Sequence, residues 1–209
     1  MGLIFTTESA VIKGDDSADV NKMEQKYLDY LETHISGVQK AFQTYFIPII
    51  DKDISQFNEE DFDMFSLEDL KKSIIKLIND KSIENHDKSK YSDEEFDGYR
   101  LYFDPTPYEE SLGEDFHIMV TNKFNAAWKH HYENNDHHPH FWINIKENRY
   151  VDMPLYAIVH MLSDWGSFPI NNGGSTVEWW NTDSKDERKC MTDNTIKVVD
   201  KLLKITNMP

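Results

Sequence analysis

Cysteine and the helix-breaking residues are scarce in this sequence, and each shortage excludes a class of protein. The single cysteine, Cys190, has no intrachain partner, which excludes a disulfide framework and is typical of a cytoplasmic protein. Eight glycines and seven prolines in 209 residues argue against a turn-rich β-sandwich or barrel. The longest apolar runs, residues 45–50 and 156–162, are far shorter than the roughly 20 residues that cross a bilayer. The first residues do not resemble a secretory signal either, so we expect no membrane association.

Basic side chains are also in short supply. The chain has 22 lysines and arginines against 38 aspartates and glutamates, a formal net charge of −16 at pH 7. Binding to nucleic acids or to anionic membranes depends on a basic surface that displaces counterions, so we expect neither partner. Net charge does not describe a single cleft, and a local phosphate-binding pocket is compatible with it.

What the sequence does have is enough apolar material for one ordinary domain. Hydrophobic residues make up 39% and aromatic residues 13% of a 24.6 kDa chain, which is sufficient for a core. Residues 1–19 are polar and show no helical period, so we predict a loose lead-in there and a single domain over residues 20–209. Nothing in the sequence indicates an oligomeric state.

Apolar residues recur every three or four positions in several segments, which is the spacing of amphipathic helices. The longest such stripe covers residues 20–47 and stops at Pro48. A hydroxyl residue followed three positions later by a carboxylate predicts helix starts at Ser66 and Ser92. Further helices are predicted over about residues 114–132, 154–165 and 192–205. No convincing pair of strands appears, so the predicted fold class is all-α.

Histidine placement is the most informative chemical feature. Five of the nine histidines fall between residues 130 and 140, and histidine is both the commonest metal ligand and the usual proton carrier near neutral pH. The alternative for this segment is a solvated polar loop. An engineered tag is excluded because a tag would be terminal and uniform.

Two further polar side chains, His34 and Asp164, lie on apolar helix faces. His34 continues the buried stripe of the first helix, although a lone histidine there is more often a satisfied core residue. Asp164 lies in an apolar helix, where an unpaired carboxylate would be costly, so a cation or a histidine partner is expected beside it. His160, one turn earlier, is a candidate for that partner or for a metal ligand.

The order of His34, His86 with Asp87, and Asp164 resembles the HD-domain superfamily of metal-dependent phosphohydrolases. Lys90 stands three residues after Asp87, similar to the HD-x-x-K variant of that family. Residues 86–92 and 130–139 resemble segments of a poorly characterised HD-like branch found in bacteria and phages. The resemblance covers about residues 25–170 and implies a single helical bundle of the HD type.

The resemblance implies a divalent transition metal held by His34, His86, Asp87 and Asp164. Imidazole and carboxylate ligands suit Mn, Fe, Ni, Co or Zn rather than a soft thiolate site. Some HD relatives hold a second ion with additional histidines. His131 is the leading candidate here because it continues the apolar stripe of its helix. One or two ions are therefore expected.

The implied activity is hydrolysis of a nucleotide or another small phosphorylated compound by metal-activated water that attacks phosphorus. His130 is the candidate for stabilising charge or protonating the leaving group, Lys90 for neutralising phosphate, and Glu94 or Glu95 for orienting water. The candidate substrate contacts are His137, His138 and Lys129. A nucleoside monophosphate phosphatase and a cyclic-nucleotide phosphodiesterase compete, and two ions favour the diesterase.

Alternatives of other kinds remain open. Exposed helical lysines such as Lys129 are usually only solvated, and Glu95 could instead cap its helix. At the level of the whole chain, the alternative is a non-catalytic HD scaffold, an acidic inhibitor-like protein that binds a ligand or a partner protein. Retention of all four candidate metal ligands argues against that alternative.

Overall fold

The structure is a computed structural model that describes residues 17–209, so most of the predicted lead-in, residues 1–16, lies outside it. Helices dominate the described chain, which confirms the all-α prediction. In chain order they are α1 Ser17–Ala41, α2 Leu67–Asn79, α3 Phe96–Phe103, α4 Pro107–Glu110, α5 Glu114–Asn134, α6 Leu155–Asn172, α7 Thr176–Thr182, α8 Lys185–Arg188 and α9 Asp193–Thr206. Short 3-10 turns lie at Ile47–Ile49, Ile54–Gln56, Glu59–Phe62, Lys88–Tyr91 and Pro139–Phe141.

Helix α1 differs from its prediction at both ends. It already includes residues 17–19, which the sequence analysis placed in the lead-in, and Asp19 lies in its first turn, where a carboxylate interacts favourably with the helix dipole. At the other end the α-helical hydrogen bonding stops at Ala41 and loosens into a π-helical turn, Phe42–Phe46. Pro48 follows in the next 3-10 turn, Ile47–Ile49. Proline has no backbone N–H to donate, so an α-helix does not continue through this position.

Helix α6 is the centre of the main core. It packs against α1, α2 and α9, and its residues are buried on almost every side from Ala157 to Asp164. Ile158 and Leu162 are fully buried in it, as a helix inside a bundle requires. The helix also continues beyond the predicted end at Trp165, through Pro169, and stops where Gly173 takes a φ of +77°.

A second, smaller core joins α1 to the pair α3 and α5. Tyr27 and Leu31 of α1 pack against Tyr99 of α3 and Ala127 of α5. Gly98 permits this arrangement, since a Cβ at that position would lie 2.7 Å from the Cβ of Ala127. The close approach of α3 to α5 brings the start of α3 next to the end of α5.

Several short elements were not predicted. A two-stranded antiparallel hairpin pairs β1 (Ile143–Asn144) with β2 (Arg149–Tyr150), and α7 and α8 are short helices after the Gly173 turn. Each strand has only two residues, too few to show an alternating pattern in the sequence. Within residues 17–209 no helix is both long and apolar enough to traverse a bilayer.

Candidate metal centre

Helices α1 and α6 bring the first two candidate ligands together. His34 of α1 faces Asp164 of α6, and the His34 Nε2 atom lies 3.2 Å from the Asp164 Oδ1 atom. The other ring nitrogen, His34 Nδ1, is 3.3 Å from the hydroxyl of Ser167, one turn further along α6. Ser167 therefore fixes the ring so that Nε2 points toward Asp164.

His86 and Asp87 reach the same point from the turns that follow α2. Asp87 has a φ of +55°, in the left-handed region that aspartate tolerates better than most residues. This backbone conformation turns the chain sharply into the 3-10 segment Lys88–Tyr91. It also directs the Asp87 carboxylate inward, where the residue is only 2% exposed. Local backbone strain of this kind often marks a functional position.

The four side chains form a compact group, which we call the His34 site: His34, His86, Asp87 and Asp164. His34 Nε2 lies 3.2 Å from His86 Nε2 and 3.4 Å from Asp87 Oδ2. His86 Nε2 lies 3.4 Å from Asp87 Oδ1 and 3.6 Å from Asp164 Oδ1. Neighbouring ligands that share an ion at roughly 2.0–2.3 Å lie about 3 Å apart, so these spacings fit a shared ion.

A second group lies on the other side of Asp87, and we call it the His131 site: Asp87, His131, His137 and His138. Asp87 Oδ1 is 3.2 Å from His131 Nε2 and 3.5 Å from His137 Nε2. His131 ends the buried face of α5, and the two other histidines lie in the loop after it. The sequence predicts substrate contacts for His137 and His138, whereas the structure places both among possible metal ligands.

Several atoms of the two sites are buried without a hydrogen bond to any described residue. These atoms are Asp87 Oδ1, Asp164 Oδ1, His131 Nε2, His137 Nε2 and His138 Nε2. Buried polar atoms are normally paired, because an unpaired one loses its interactions with water. A mixed imidazole and carboxylate set with unpaired lone pairs directed at one another fits a divalent transition metal.

The charges at the His34 site depend on one another. Burial acts to lower the pKa of His34, but its contacts with Asp164 and Asp87 outweigh this effect and raise the pKa to about 9. Burial acts to raise the pKa of Asp164, but His34 and His86 hold it well below its ordinary value. The pKa of Asp87 is likewise held low against the effect of burial, by His86 and then by Lys90. Both carboxylates are therefore anionic ligands near neutral pH.

Outer contacts orient two of the candidate ligand histidines. Glu95, which is fully buried at the start of α3, lies 2.8 Å from His131 Nδ1 through one oxygen and 2.8 Å from His130 Nδ1 through the other. On the other side, His86 Nδ1 is 3.0 Å from His160 Nε2. Each contact occupies Nδ1 of a ligand histidine and leaves its Nε2 directed at Asp87, as outer partners do in metal sites.

These contacts revise two sequence interpretations. Glu95 is the carboxylate that reaches the site, whereas Glu94, the assigned catalytic residue, is exposed. His160 approaches His86 rather than Asp164, and with His86 and His137 it forms a third group that could hold an ion, which keeps its predicted role as a ligand open. The position of a side chain on a helix indicates which face it occupies, but it does not say which of two adjacent glutamates meets a histidine of another helix.

The remaining assigned residues differ in how closely they approach the site. Lys90 donates to Asp87 Oδ2 at 2.6 Å and is largely buried, so it belongs to the site. His130 is partly exposed, and it contacts Glu95 on the outer side of the His131 site. Lys129 is exposed and pairs with Glu133 one helical turn away, so the structure does not bring it to the site. Lys129 is therefore a solvated surface lysine, the alternative to substrate contact, because residue 129 lies on the opposite face of α5 from Ala127 and His131.

A cavity of about 490 Å³ opens beside the two sites, where Asp164 and His138 form part of its wall. Its apolar walls are Trp128, Trp165, Phe168 and Trp179. Trp128 also contacts His138, with ring centroids 5.1 Å apart. The candidate metal centre therefore has an open side bordered by aromatic rings.

Comparison with known proteins places the chain in a family without assigning its chemistry. A family model described as "Family of unknown function (DUF5662)" matches residues 23–205. The chain belongs to this family. No curated protein and no solved structure was found to match the DUF5662 chain. The matched range contains every residue of the His34 and His131 sites.

Proposed function

We propose that this DUF5662 protein is a metal-dependent phosphohydrolase of the HD type that acts on a nucleotide or another small phosphorylated compound. The observation that carries the proposal is the sharing of Asp87 by two groups of buried ligands. Its Oδ2 faces His34, and its Oδ1 faces His86, His131 and His137. A carboxylate between two such groups is suited to bridging two ions.

His34, His86, Asp87 and Asp164 would hold one ion, and His131, His137 and His138, together with the shared Asp87, a second. Divalent ions at these positions would supply an activated water and polarise a phosphoryl oxygen. The absence of cysteine from both groups favours Mn, Fe, Ni, Co or Zn bound through nitrogen and oxygen.

The chain's own residues have distinct tasks in this proposal. Asp87 and Asp164 supply negative charge to the ions, and Glu95 and His160 hold the ligand imidazoles in place. Lys90 is the one lysine or arginine found in contact with the His34 site among the described residues. Its ammonium group can leave Asp87 for a phosphoryl oxygen once Asp87 is bound to metal. His130 is too far out to bind an ion, and its place beside Glu95 suits proton exchange with solvent.

The test is substitution of Asp87 by asparagine, which keeps the side-chain shape and removes the charge. Purified wild-type protein should contain about one or two divalent ions per chain and should hydrolyse members of a nucleotide panel when supplied with metal. Asp87→Asn should lose both the metal and the turnover. Glu94→Gln, at an exposed position nearby, should retain both.

Two outcomes would contradict the proposal. A folded Asp87→Asn protein that hydrolyses its substrate at the wild-type rate would show that the reaction occurs elsewhere. A wild-type protein that binds no metal and shows no metal-stimulated turnover would favour the non-catalytic binding protein instead.

A further inference from the structure

Part of the wall of the aromatic cavity is formed by residues that have no role in the proposed hydrolysis. Helix α7 contributes Thr176 and Trp179 to this wall, and α8 contributes Glu187. The volume of about 490 Å³ lies within the roughly 300–1,000 Å³ typical of small-molecule sites. A substrate whose phosphoryl group lies at the metal centre would place its remaining part here.

The aromatic walls favour a flat ring system in that part. Trp165 and Trp179 contact each other with their ring planes 69° apart, so they form a corner rather than a stack. Both rings line the cavity. Stacking of a nucleobase on such a face contributes about 1–3 kcal/mol and does not require a particular base.

Glu187 restricts which ligands fit the cavity, because it adds a hydrogen-bonding group to the aromatic walls. It lines the cavity, and no residue in the range 17–209 gives its carboxylate a hydrogen bond or an ion pair. The adjacent basic residues are engaged elsewhere, since Arg188 donates to the Trp180 carbonyl oxygen and Lys189 to Asp186. The two oxygens of Glu187 are therefore free to accept two parallel hydrogen bonds from a ligand.

Thr176 adds a second unpaired polar group. The residue is only 3% exposed, and its Oγ1 makes no hydrogen bond to any described residue. A buried hydroxyl is costly without a partner, but this one has almost no accessible surface, so a ligand reaches it only if the side chain turns toward the cavity. Glu187 is therefore the group that indicates a ligand with hydrogen-bonding groups on the part that lies in the cavity.

The cavity is also unsuited to a chain of phosphates. None of the described residues that line it is a lysine or arginine, and Glu187 and Asp164 are both acidic. A second or third phosphoryl group would lie near these carboxylates without a protein cation to compensate it. The single phosphoryl group of a monophosphate can be confined to the metal centre and Lys90.

We infer that the cavity is a nucleobase site, in which Glu187 selects guanine and the aromatic walls hold its ring, so that the preferred substrate is a guanosine monophosphate. Guanine is the common base that presents two adjacent donors, N1–H and the N2 amino group, to a carboxylate. Adenine, cytosine and uracil present at most one donor next to an acceptor. This inference rests on the proposed function for the position of the phosphate.

The experiment measures kcat/KM for GMP, IMP, AMP, CMP, UMP, GTP and phosphocholine with Mn²⁺ as the added metal. GMP should be preferred, and IMP, which lacks the N2 amino group, should be about tenfold poorer. Glu187→Gln should lower kcat/KM for GMP by roughly 10- to 100-fold, the effect expected for loss of a bidentate base contact. It should change the value for CMP by much less. Glu178→Gln, the same change at an exposed position of α7, is the matched control and should behave as wild type.

Calorimetric binding of GMP and CMP to the same proteins separates the two proposals. If no phosphate ester is hydrolysed but GMP binds more tightly than CMP in a manner that depends on Glu187, the proposed function is wrong and the base site stands. If esters are hydrolysed without a preference for GMP, if phosphocholine or GTP is the best substrate, or if Glu187→Gln affects all substrates equally, the base site is overturned. If there is neither hydrolysis nor selective binding, both proposals fail.

Discussion

Asp87 combines three properties that are seldom found together in one residue. It is almost fully buried, it has left-handed backbone angles, and it approaches four imidazoles and the Lys90 ammonium group. Each property alone is unfavourable or uncommon, and the surrounding cationic and polar groups offset the cost of burying the charge. The arrangement is typical of a position kept for chemistry rather than for stability.

Glu95 is expected to act through His131 rather than on a substrate. Glu95→Gln keeps the size of the side chain but weakens the charge-assisted contact with His131 Nδ1, so the imidazole becomes a poorer ligand. We expect the affinity for the metal to fall by roughly 10- to 100-fold, as found for outer-shell substitutions in other metal sites. Competition with a chromogenic chelator measures this affinity.

Glu94→Gln is the matched control because it makes the same change one residue away on the surface. Its metal affinity should equal that of wild type. Equal affinities for Glu95→Gln and Glu94→Gln would mean that the Glu95 contact does not tune the site. A conservative rescue is available, since Glu95→Asp retains the charge and should recover part of the affinity.

The sequence identifies the residues of the His34 site but not their supporting contacts. His34 and Asp164 are recognisable because each is a polar residue on an apolar helix face, which is costly unless something pairs with it. Glu95 and His160 are candidates in the sequence as well, but the sequence does not show which residues they contact. Their roles depend on the distance between helices, which a single sequence does not specify.

At the scale of elements, α4 holds α3 through a buried ion pair. Arg100 of α3 donates to both oxygens of Glu109, at 2.6 and 3.1 Å, and the backbone N–H of Thr106 donates to the same carboxylate at 2.7 Å. Both partners are nearly fully buried. The pair closes the loop after α3, the helix that positions Glu95.

Glu109→Gln should therefore destabilise the protein by about 2–4 kcal/mol at pH 7, because it leaves the Arg100 charge buried without its counterion. Urea unfolding measures the difference. Burial acts to raise the pKa of Glu109, but Arg100 and Thr106 outweigh it and lower the pKa below its ordinary value of 4.5. The stabilisation is thus complete above about pH 4.5 and is lost as the pH falls through the folded-state pKa.

The difference in stability between wild type and Glu109→Gln should accordingly be constant from pH 6 to 7 and shrink below pH 4.5. Glu110→Gln, at the exposed neighbouring position, should cost little at either pH. If the difference stays the same down to pH 3, the charge of Glu109 is not the source of the stabilisation.

Elements were predictable where a regular pattern extends over several turns. The capping box at Ser66 forms as expected, with the Ser66 side chain accepting from the Asp69 N–H. The same pattern at Ser92 does not begin a helix, and α3 starts only at Phe96, because Glu95 is directed toward the histidines. The short helices α7 and α8, which build the wall of the cavity, contain too few residues to show a period.

At the scale of the whole molecule, the candidate metal centre joins segments that are distant in sequence. Its side chains come from α1, from the turns after α2, from the end of α5 and its loop, and from α6. The main core includes residues of α1, α2, α6 and α9, and the smaller core packs α1 against α3 and α5. Ions that bridge the junction would therefore stabilise the tertiary fold and not only the site.

Metal removal should lower the stability of the whole chain. Ligands that bind only the folded state add about 4 kcal/mol at a concentration 1,000 times the dissociation constant, which in a protein of this size corresponds to roughly 10 °C in melting temperature. Adding Mn²⁺ or Zn²⁺ to chelator-treated protein should raise the melting temperature progressively with concentration, and excess chelator should reverse the increase. Asp87→Asn should show little of this response, because it weakens both sites at once, while Glu94→Gln should respond like wild type. A melting temperature that is the same with metal and with chelator would mean that the buried histidines and carboxylates do not form an ion-binding site.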